Sequence, residues 1–469
     1  MLKTTSAGQS DIPFPVTDPE KIPVQRYFDD EFYQWECEHL WPKVWQMACR
    51  LEQIPNVGDW VEYTNVGKSV LVVRTSDGVK AFHNHCRHRG VPIAGGKGNE
   101  HGNCARQGFI CPFHGWRWNM DGECTFVYGR QLFNQDLLDA EELKLVPVRC
   151  ETWGGCAFIN FDNDAPSYRE SMGGVLDRIE ARGMSNMRAE WWFATVLPAN
   201  WKIAMEAFHE GYHVMKTHPQ LQQAVPALYN MRYGDDTGGL GASIDPNLSA
   251  RENIQLFLDN MELLSSGMAG LIHAKEVEIA RECLNIDLPE DPQEAIQAWH
   301  LAVMNAITKT LRERGEPVPD QAEVAAKYPL EALQFLFPNY FLLSAFTGMS
   351  SYRIRPLGPE SCMFELWSLT HFAPGSEPKA PMEPTVLPYD SQDFPMIPRQ
   401  DYSNIPIQQK GLHSEGFEFM RLSREREGLI SNYHRIIDAF MRGVSSEKIV
   451  AATQTIGDNF DGAILEYDL

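Results

Sequence analysis

The rhythm of apolar and polar positions changes several times along the chain. Residues 28–50 (FDDEFYQWECEHLWPKVWQMACR) carry aromatic side chains at helical spacing, interrupted at Pro42. From Gly58 the apolar positions fall in short β-branched blocks parted by turn residues such as NVGK and TSDG, and this texture runs to about Phe161. It predicts a small all-β domain over 58–161, preceded by a Pro-rich, polar arm at 1–27. Beyond 165, WWFATVLP reads as a strand and NWKIAMEAFHEGYHVMKTH as a helix. ENIQLFLDNMELLSSGMAGLI and DPQEAIQAWHLAVMNAITKTLRERG also read as helices, the latter with Asp291 and Pro292 as N-cap and first turn. NYFLLSAFTGM, SSYRIRPLG and SCMFELWSLTHFA predict three strands of an antiparallel sheet. Residues 230–250 are rich in Gly, Asp and Ser, and 374–398 hold seven prolines, so both read as loop. The tail from about 403 to 443 reads as helical. These changes divide the chain into an N-terminal arm and helix (1–39), an all-β domain (40–161), and a second domain (165–469) with a helical insertion at about 230–330. The class is α+β.

Composition narrows the function. The chain has 469 residues, 43% hydrophobic and 22% charged, the balance of an ordinary soluble globular protein. Its formal net charge of −22 argues against nucleic acid as a partner and against docking on anionic lipid. No apolar run approaches the ~18 residues of a membrane span. The N-terminal sequence has no apolar core of a secretory signal, so the expected location is the cytoplasm. Ten cysteines are too sparse for a disulfide scaffold, which leaves them free, metal-bound or catalytic.

The strongest chemical signal is Cys86-Arg-His88 followed by Cys111-Pro-Phe-His114. Each pair sets a thiolate and an imidazole on one tight turn, and Gly90 and Gly115 follow where a backbone wrapping a metal needs positive φ or close approach. Structural zinc prefers like ligands paired, as C-x2–4-C and H-x3–5-H. Mixed pairs suit a [2Fe–2S] cluster with both cysteines on one iron and both histidines on the other. His83 and His85 precede Cys86, but strand alternation aims both away from such a cluster. The 22 residues between His88 and Cys111 include GGKGNEHGNCARQG, which reads as an inserted surface loop with Cys104 as a free thiol.

A second set lies downstream. Glu206, Glu210 and His213 are spaced i, i+4, i+7, so a continuous helix would present all three on one face. His218 follows at i+5, which overshoots one turn and requires an end or bulge before Pro219. Two histidines with one carboxylate make the facial triad of non-haem Fe(II) oxygenases. The carboxylate candidates are Asp390, Asp393 and Asp401. As a bare residue, Asp401 would also serve as a helix N-cap.

The C-R-H-R-G and C-P-F-H-G-W motifs resemble those of the Rieske domain, in the form found in Rieske non-haem iron ring-hydroxylating oxygenases. N-W-K followed by E-G-Y-H-x4-H is similar to the catalytic signature of the α (terminal oxygenase) subunits of that family, and D-Y-S-N-I-P-I-Q-Q-K-G-L to the segment that returns a third ligand to the iron. The resemblance covers about 40–161 and 165–445. It implies an N-terminal Rieske domain and a catalytic domain of helix-grip (Bet v 1-like, START-like) antiparallel-sheet fold. It implies a [2Fe–2S] cluster on Cys86, His88, Cys111 and His114, and a mononuclear Fe(II) on His213, His218 and Asp401. Val91 and Phe113 stand near the positions where respiratory-chain Rieske proteins carry a disulfide, so the implied type is ferredoxin-like and of lower potential. The family has an Asp three residues before the first ligand histidine, bridging it to a Rieske histidine of the neighbouring subunit. That place is Glu210 here, and the implied bridge runs from His213 to His114 of another chain. The interval from Asn200 to His213 is one residue shorter than in the Asp-bearing dioxygenases.

The implied activity is hydroxylation, mono- or cis-di-, of an aromatic or other apolar ring by O2. The alternatives are monooxygenation or demethylation of a non-aromatic substrate. Electrons would come from an NAD(P)H-dependent reductase, directly or through a ferredoxin. The chain has no G-x-G-x-x-G after a strand, so the nicotinamide site belongs to a partner. The implied assembly is a homotrimer or an α3β3 complex with a small β subunit. Arg87, Arg89, Arg106 and Arg117 flank the cluster motifs and would either face an acidic electron donor or brace the loops. The helical segment 251–313 and LEALQFLF, rich in Leu, Met, Ala and Phe, would either cap an apolar pocket or form ordinary helix cores. Two competing classes remain: a Rieske electron carrier fused to a small-molecule-binding domain, and a zinc-stabilised interaction protein.

Overall fold

Short β-branched runs pair with their sequence neighbours, and these pairings build two compact units. One holds Trp41–Tyr168 with Ala380–Glu383, and the other holds Met1–Leu40, Arg169–Lys379 and Pro384–Leu469. The computed structural model describes residues 12–95, 100–224, 245, 247–268, 270–328, 332–459 and 462–469. The loop predicted at 230–250 lies mostly outside the described residues.

After a short strand in the arm, β1 (Lys21–Pro23), the first unit opens with β2 (Gln46–Arg50), β3 (Asp59–Asn65), β4 (Lys68–Thr75), β5 (Gly78–His83) and β6 (His101–Asn103). Three short strands follow, β7 (Phe109–Ile110), β8 (Arg117–Trp118) and β9 (Cys124–Phe126), and then β10 (Pro147–Trp153) and β11 (Cys156–Asn160). A seven-stranded sheet runs β2-β11-β10-β5-β4-β3-β6, and β7-β8-β9 form a second sheet. Val66 and Gly67 both have positive φ, 43° and 72°, which gives the β3–β4 hairpin the twist its strands need. Two expectations change. Gln46–Arg50 is a fully buried strand rather than the end of a helix. The segment read as a surface loop supplies β6, which pairs with β3, and Cys104 beyond it is buried.

The second unit begins with α1 (Asp30–Trp35), whose N-cap Asp29 accepts from the Phe32 amide at 2.9 Å. Then come α2 (Tyr168–Met172), α3 (Val175–Glu180), β12 (Arg188–Leu197), α4 (Trp201–His209), α5 (Val214–Thr217) and α6 (Pro219–Ala224). Four more helices follow: α7 (Ala250–Gly267), α8 (Ala274–Glu282), α9 (Pro292–Glu313) and α10 (Gln321–Lys327). Asp291 caps α9 as read, accepting from the amides of Gln293 and Glu294. The remaining strands are β13 (Leu333–Leu336), β14 (Tyr340–Ser344), β15 (Met349–Gly358), β16 (Ser361–Thr370), β17 (Thr385–Val386) and β18 (Phe419–Arg421). The last helices are α11 (Met396–Leu412), α12 (Gly428–Arg442) and α13 (Ser446–Asp458).

The six-stranded sheet runs β13-β14-β15-β16-β12-β17, antiparallel except where β17 meets β12. Phe208 of α4 packs on Phe341, Tyr352 and Phe364, and Tyr402 of α11 packs on Phe364, so these helices grip one sheet face. On the residues of opposite parity, Trp192 stacks on Trp367, and Glu365 accepts from Arg353 and Arg355. LEALQFLF contributes the edge strand β13 rather than helix. The tail is not one helix: α11 ends at Leu412, β18 pairs with β1, and α12 starts at Gly428.

Buried polar contacts fix the helix that leads to the second candidate site. Arg26 donates to Asp438 at 2.7 Å and to His434 Nδ1 at 2.9 Å. With Nδ1 accepting, His434 carries its proton on Nε2 and donates to Glu206 Oε1 at 2.8 Å. The Tyr27 hydroxyl donates to the same oxygen at 2.8 Å, and Lys202 pairs with Glu36 at 2.8 Å. The arm, α4 and α12 are thus bound by buried charged and polar side chains. Burial pushes the Glu206 carboxyl up to about 7.

The pair of arginines gives a pH test. Burial works to raise the Glu365 carboxyl, but Arg353 and Arg355 overcome it and pull it from 4.5 down to about 2. A depressed native pKa stabilises the fold above the unfolded value and loses that effect as pH falls through the native one. Glu365→Gln should therefore cost about 3–5 kcal/mol near neutrality. The gap to wild type in denaturation midpoint, followed by circular dichroism, should close between pH 4.5 and 2. A gap independent of pH would show that Glu365 is not ionised in the fold.

Candidate metal centres

The two Cys/His loops of the first unit share one hydrogen-bond pattern. The Cys86 amide donates to Val91 O at 2.8 Å and the Gly90 amide to Cys86 O at 2.9 Å; Cys111 donates to Trp116 O at 2.8 Å and Gly115 to Cys111 O at 3.0 Å. Gly90 and Gly115 sit at φ 75° and 70°, the positive values their positions suggested. The loops bring the His88 and His114 rings to 4.7 Å and set the two sulfurs side by side. Burial, with the Cys111 sulfur alongside, pushes the Cys86 thiol up to about 11. The His88 ring lies flat on Trp116 at 4.7 Å, edge-on to Phe133, and its Nδ1 is buried without a hydrogen-bond partner. Two crowded thiols and an orphaned imidazole nitrogen are costly unless a metal takes them as ligands, so the residues fit an iron–sulfur cluster. His83 packs on Phe161, and Arg87 braces its loop by donating to Glu142 O at 2.9 Å. Arg89 lies over Phe113 and Arg117 over Phe126, while Arg106 is exposed.

In the second unit α4 stops at His209, and Glu210 is extended at φ −145°, ψ 155°. Gly211, a poor helix former, follows. The expected single helical face is therefore broken. Glu206 turns into the buried cluster with Tyr27 and His434, away from Glu210 and His213. Glu210 folds forward instead. Its Oε2 accepts from the His213 amide at 2.9 Å and its Oε1 faces His213 Nδ1 at 2.7 Å. The chain makes one turn, α5, and His218 follows.

Asp401 comes from the interior of α11, whose N-cap is Pro395, so the capping alternative does not apply. Its Oδ1 is 3.0 Å from His218 Nε2 and 3.7 Å from His213 Nε2. One potential ligand atom from each of the three residues lies within 4.8 Å of the others, the one such grouping of metal-binding side chains among the described residues. Asp390 and Asp393 are exposed, and Asp393 hydrogen-bonds with Ser391. Each imidazole faces acceptors through both nitrogens: His213 between Glu210 and Asp401, His218 between the Gln400 amide oxygen and Asp401. A neutral ring has one N–H for two such neighbours. A divalent cation on the Nε2 side removes the shortage, and the set fits one. Burial opposes the charged ring, yet Glu210 and then Asp401 hold His213 above its ordinary value. Gln400 was not singled out from the sequence. The available signal was its place next to Asp401, within reach of the same histidine.

Residues 44–131 match the family model for the Rieske [2Fe-2S] domain, and residues 181–443 match that for the ring hydroxylating alpha subunit (catalytic domain). The oxygenase subunit of carnitine monooxygenase from Escherichia coli K12 is 30% identical over 207 residues, 44% of this chain and 54% of that protein. The biphenyl 2,3-dioxygenase subunit alpha of Rhodococcus jostii RHA1 is 31% identical over 247 residues, 47% of this chain and 52% of that one. The chain thus spans about half the length of the curated relatives it matches. Among solved structures, a quaternary ammonium Rieske monooxygenase superposes with TM-score 0.58 at 17% identity, covering 92% of this chain and all of the other. Naphthalene 1,2-dioxygenase from a Rhodococcus species superposes with TM-score 0.60 at 17% identity, covering 92% and 96%. Both likenesses are of fold. No helix among the described residues is long and apolar enough to cross a membrane.

Iron counting tests the assignments. His213→Ala and Asp401→Ala should each lose one of three irons per chain and keep the visible spectrum of the cluster. Asp390→Ala and Asp393→Ala should keep all three. His88→Ala should lose the cluster spectrum. Loss of the single iron from Asp393→Ala with retention in Asp401→Ala would reverse the third-ligand choice.

Proposed function

Because the chain belongs to the ring hydroxylating alpha subunit family and carries a Rieske domain ahead of the catalytic one, we propose that it is the terminal oxygenase of a multicomponent Rieske system. The observation that carries this reading is the convergence of His213, His218 and Asp401, with the outer nitrogen of each imidazole already held. Cys86, His88, Cys111 and His114 would hold the [2Fe–2S] cluster, and His213, His218 and Asp401 would hold Fe(II). When bound, the cluster passes single electrons and the mononuclear iron activates O2. Overall, substrate, O2, a reduced nicotinamide and a proton give hydroxylated product and oxidised nicotinamide, with one oxygen atom leaving as water in a monooxygenation and none in a cis-dihydroxylation. The partners are an NAD(P)H-dependent reductase and, in some systems, a ferredoxin.

The residues of this chain orient and insulate. Glu210 fixes the His213 ring and supplies a carboxylate able to accept a second imidazole N–H, that of His114 on a neighbouring chain in a closed ring of subunits. Asp401 presents one oxygen to both histidines. Phe341, Tyr352 and Phe364 are fully buried core packed under Phe208, and the equally buried Tyr402, next to Asp401 in sequence, packs on Phe364. An aromatic or other apolar ring as substrate is supported by the biphenyl 2,3-dioxygenase subunit alpha, a relative at 31% identity. A second reading has a specific support: carnitine and glycine betaine monooxygenase subunits are relatives at 30% identity.

Three experiments test these readings. With a reductase and labelled O2, biphenyl or naphthalene should yield labelled hydroxylated product; turnover of carnitine or glycine betaine in their place would move the assignment to the second reading. Glu210→Ala should keep the cluster and slow single-turnover electron transfer to O2 by about 10–100-fold. Mixed assemblies of Cys86→Ala and His213→Ala chains should recover part of the activity. No recovery would mean that electrons do not cross between chains.

A further inference from the structure

His218 is held from behind by an amide, and that amide is held by another. Gln400 Oε1 faces His218 Nδ1 at 2.7 Å and also accepts from Gln220 Nε2 at 2.7 Å. In return Gln400 Nε2 donates to Gln220 Oε1 at 3.1 Å. The two side chains form a reciprocal amide pair between α11 and α6, two residues beyond His218. Further contacts steady the same stretch of α11. The Gln400 carbonyl accepts from the Ser403 hydroxyl at 2.7 Å, and Asn404 donates to Thr217 Oγ1 at 3.4 Å.

We infer that Gln400, braced by Gln220, is a positioning residue for the mononuclear iron, keeping His218 in the tautomer whose Nε2 lone pair points at the metal. The inference rests on His218 being an iron ligand, as proposed above. Its logic is donor counting. Gln400 offers His218 an oxygen only in one of its two amide orientations, and in that orientation its NH2 must find an acceptor, which Gln220 Oε1 provides. An oxygen at Nδ1 requires the ring proton there, which frees Nε2. In the opposite orientation an NH2 would face Nδ1, the ring proton would move to Nε2, and the ligand atom would be blocked.

His213 has a carboxylate behind it and His218 a neutral amide, so the two imidazoles are anchored by different groups.

The test uses Co(II) in place of iron on the full chain with its cluster intact, read by the visible absorption of the bound ion and by competition for Fe(II). Gln400→Leu removes the acceptor at similar volume and should weaken metal binding by about 10–100-fold. Gln400→Asn keeps an amide but withdraws it by one methylene, and should lose a similar amount; it serves if the Leu variant does not fold. Gln400→Glu keeps an acceptor for both His218 and Gln220 and should bind metal at least as tightly as wild type. Gln220→Leu should show a smaller loss than Gln400→Leu. A pair that only stitches two helices together would lower the thermal midpoint and leave Co(II) affinity within twofold of wild type. That result, or a Gln400→Glu variant as weak as Gln400→Leu, overturns the inference. His218→Ala is the control: if it still binds Co(II) normally, the ligand assignment itself fails and the inference with it.

Discussion

The chain leaves the helix at Glu210, and the chemistry of the catalytic unit depends on where it does so. A helix carried through to His213 would set that imidazole on the same face as Glu206, in a core closed by Tyr27 and His434. The extended backbone at Glu210 instead frees its carboxylate to take both the amide and the Nδ1 of His213, fixing the ring before any metal arrives. The departure point is fixed in turn by what lies before it. Trp201, Lys202 and Glu206 are buried and bonded to residues of the N-terminal arm, so α4 cannot slide or rotate without breaking charged contacts. Breaking one side of such a pair is among the costlier single changes a fold can suffer.

The cluster-bearing unit solves a similar problem by repetition. Two loops with one hydrogen-bond pattern each deliver a thiolate and an imidazole, and each closes on a glycine at positive φ. Their surroundings differ. His88 stacks on Trp116 and meets Phe133 edge-on, while His114 lies beside the exposed Phe113. Matching backbones therefore carry two half-buried imidazoles with different aromatic neighbours.

Much of this was legible in the sequence where the interaction is local. Cysteine and histidine two or three residues apart can meet on a turn, and the glycine that such a turn needs is visible beside them. The strands of the second unit announced themselves by β-branched and aromatic runs, and the α9 cap by Asp291 before Pro292. What escaped was decided at a distance. Nothing in NWKIAMEAFHEGYH opposes helix strongly enough to reveal the stop at His209, because the competing interaction is a carboxylate returning to the next turn. Gln46–Arg50 is a strand because the partner β11 lies far along the chain. Asp401 was favoured over Asp390 and Asp393 by resemblance to a family, and spacing alone could not have chosen it. Gln400 and Gln220 are 180 residues apart and carry no charge, so no pattern pointed to their pairing.

The arm's contact with α12 has a consequence for how the protein is made. Arg26 and Asp438 are 412 residues apart, and the cluster-bearing unit is spelled out between them. At the usual ~5–20 residues per second of synthesis, the arginine leaves the ribosome roughly 20–80 s before its partner exists. During that interval the arm has no core to join, while residues 41–168 already hold nearly all of their own. The unit with the two Cys/His loops can thus fold on a nascent chain whose second unit is still incomplete. The final helices close the catalytic unit around an arm that has been waiting since the start.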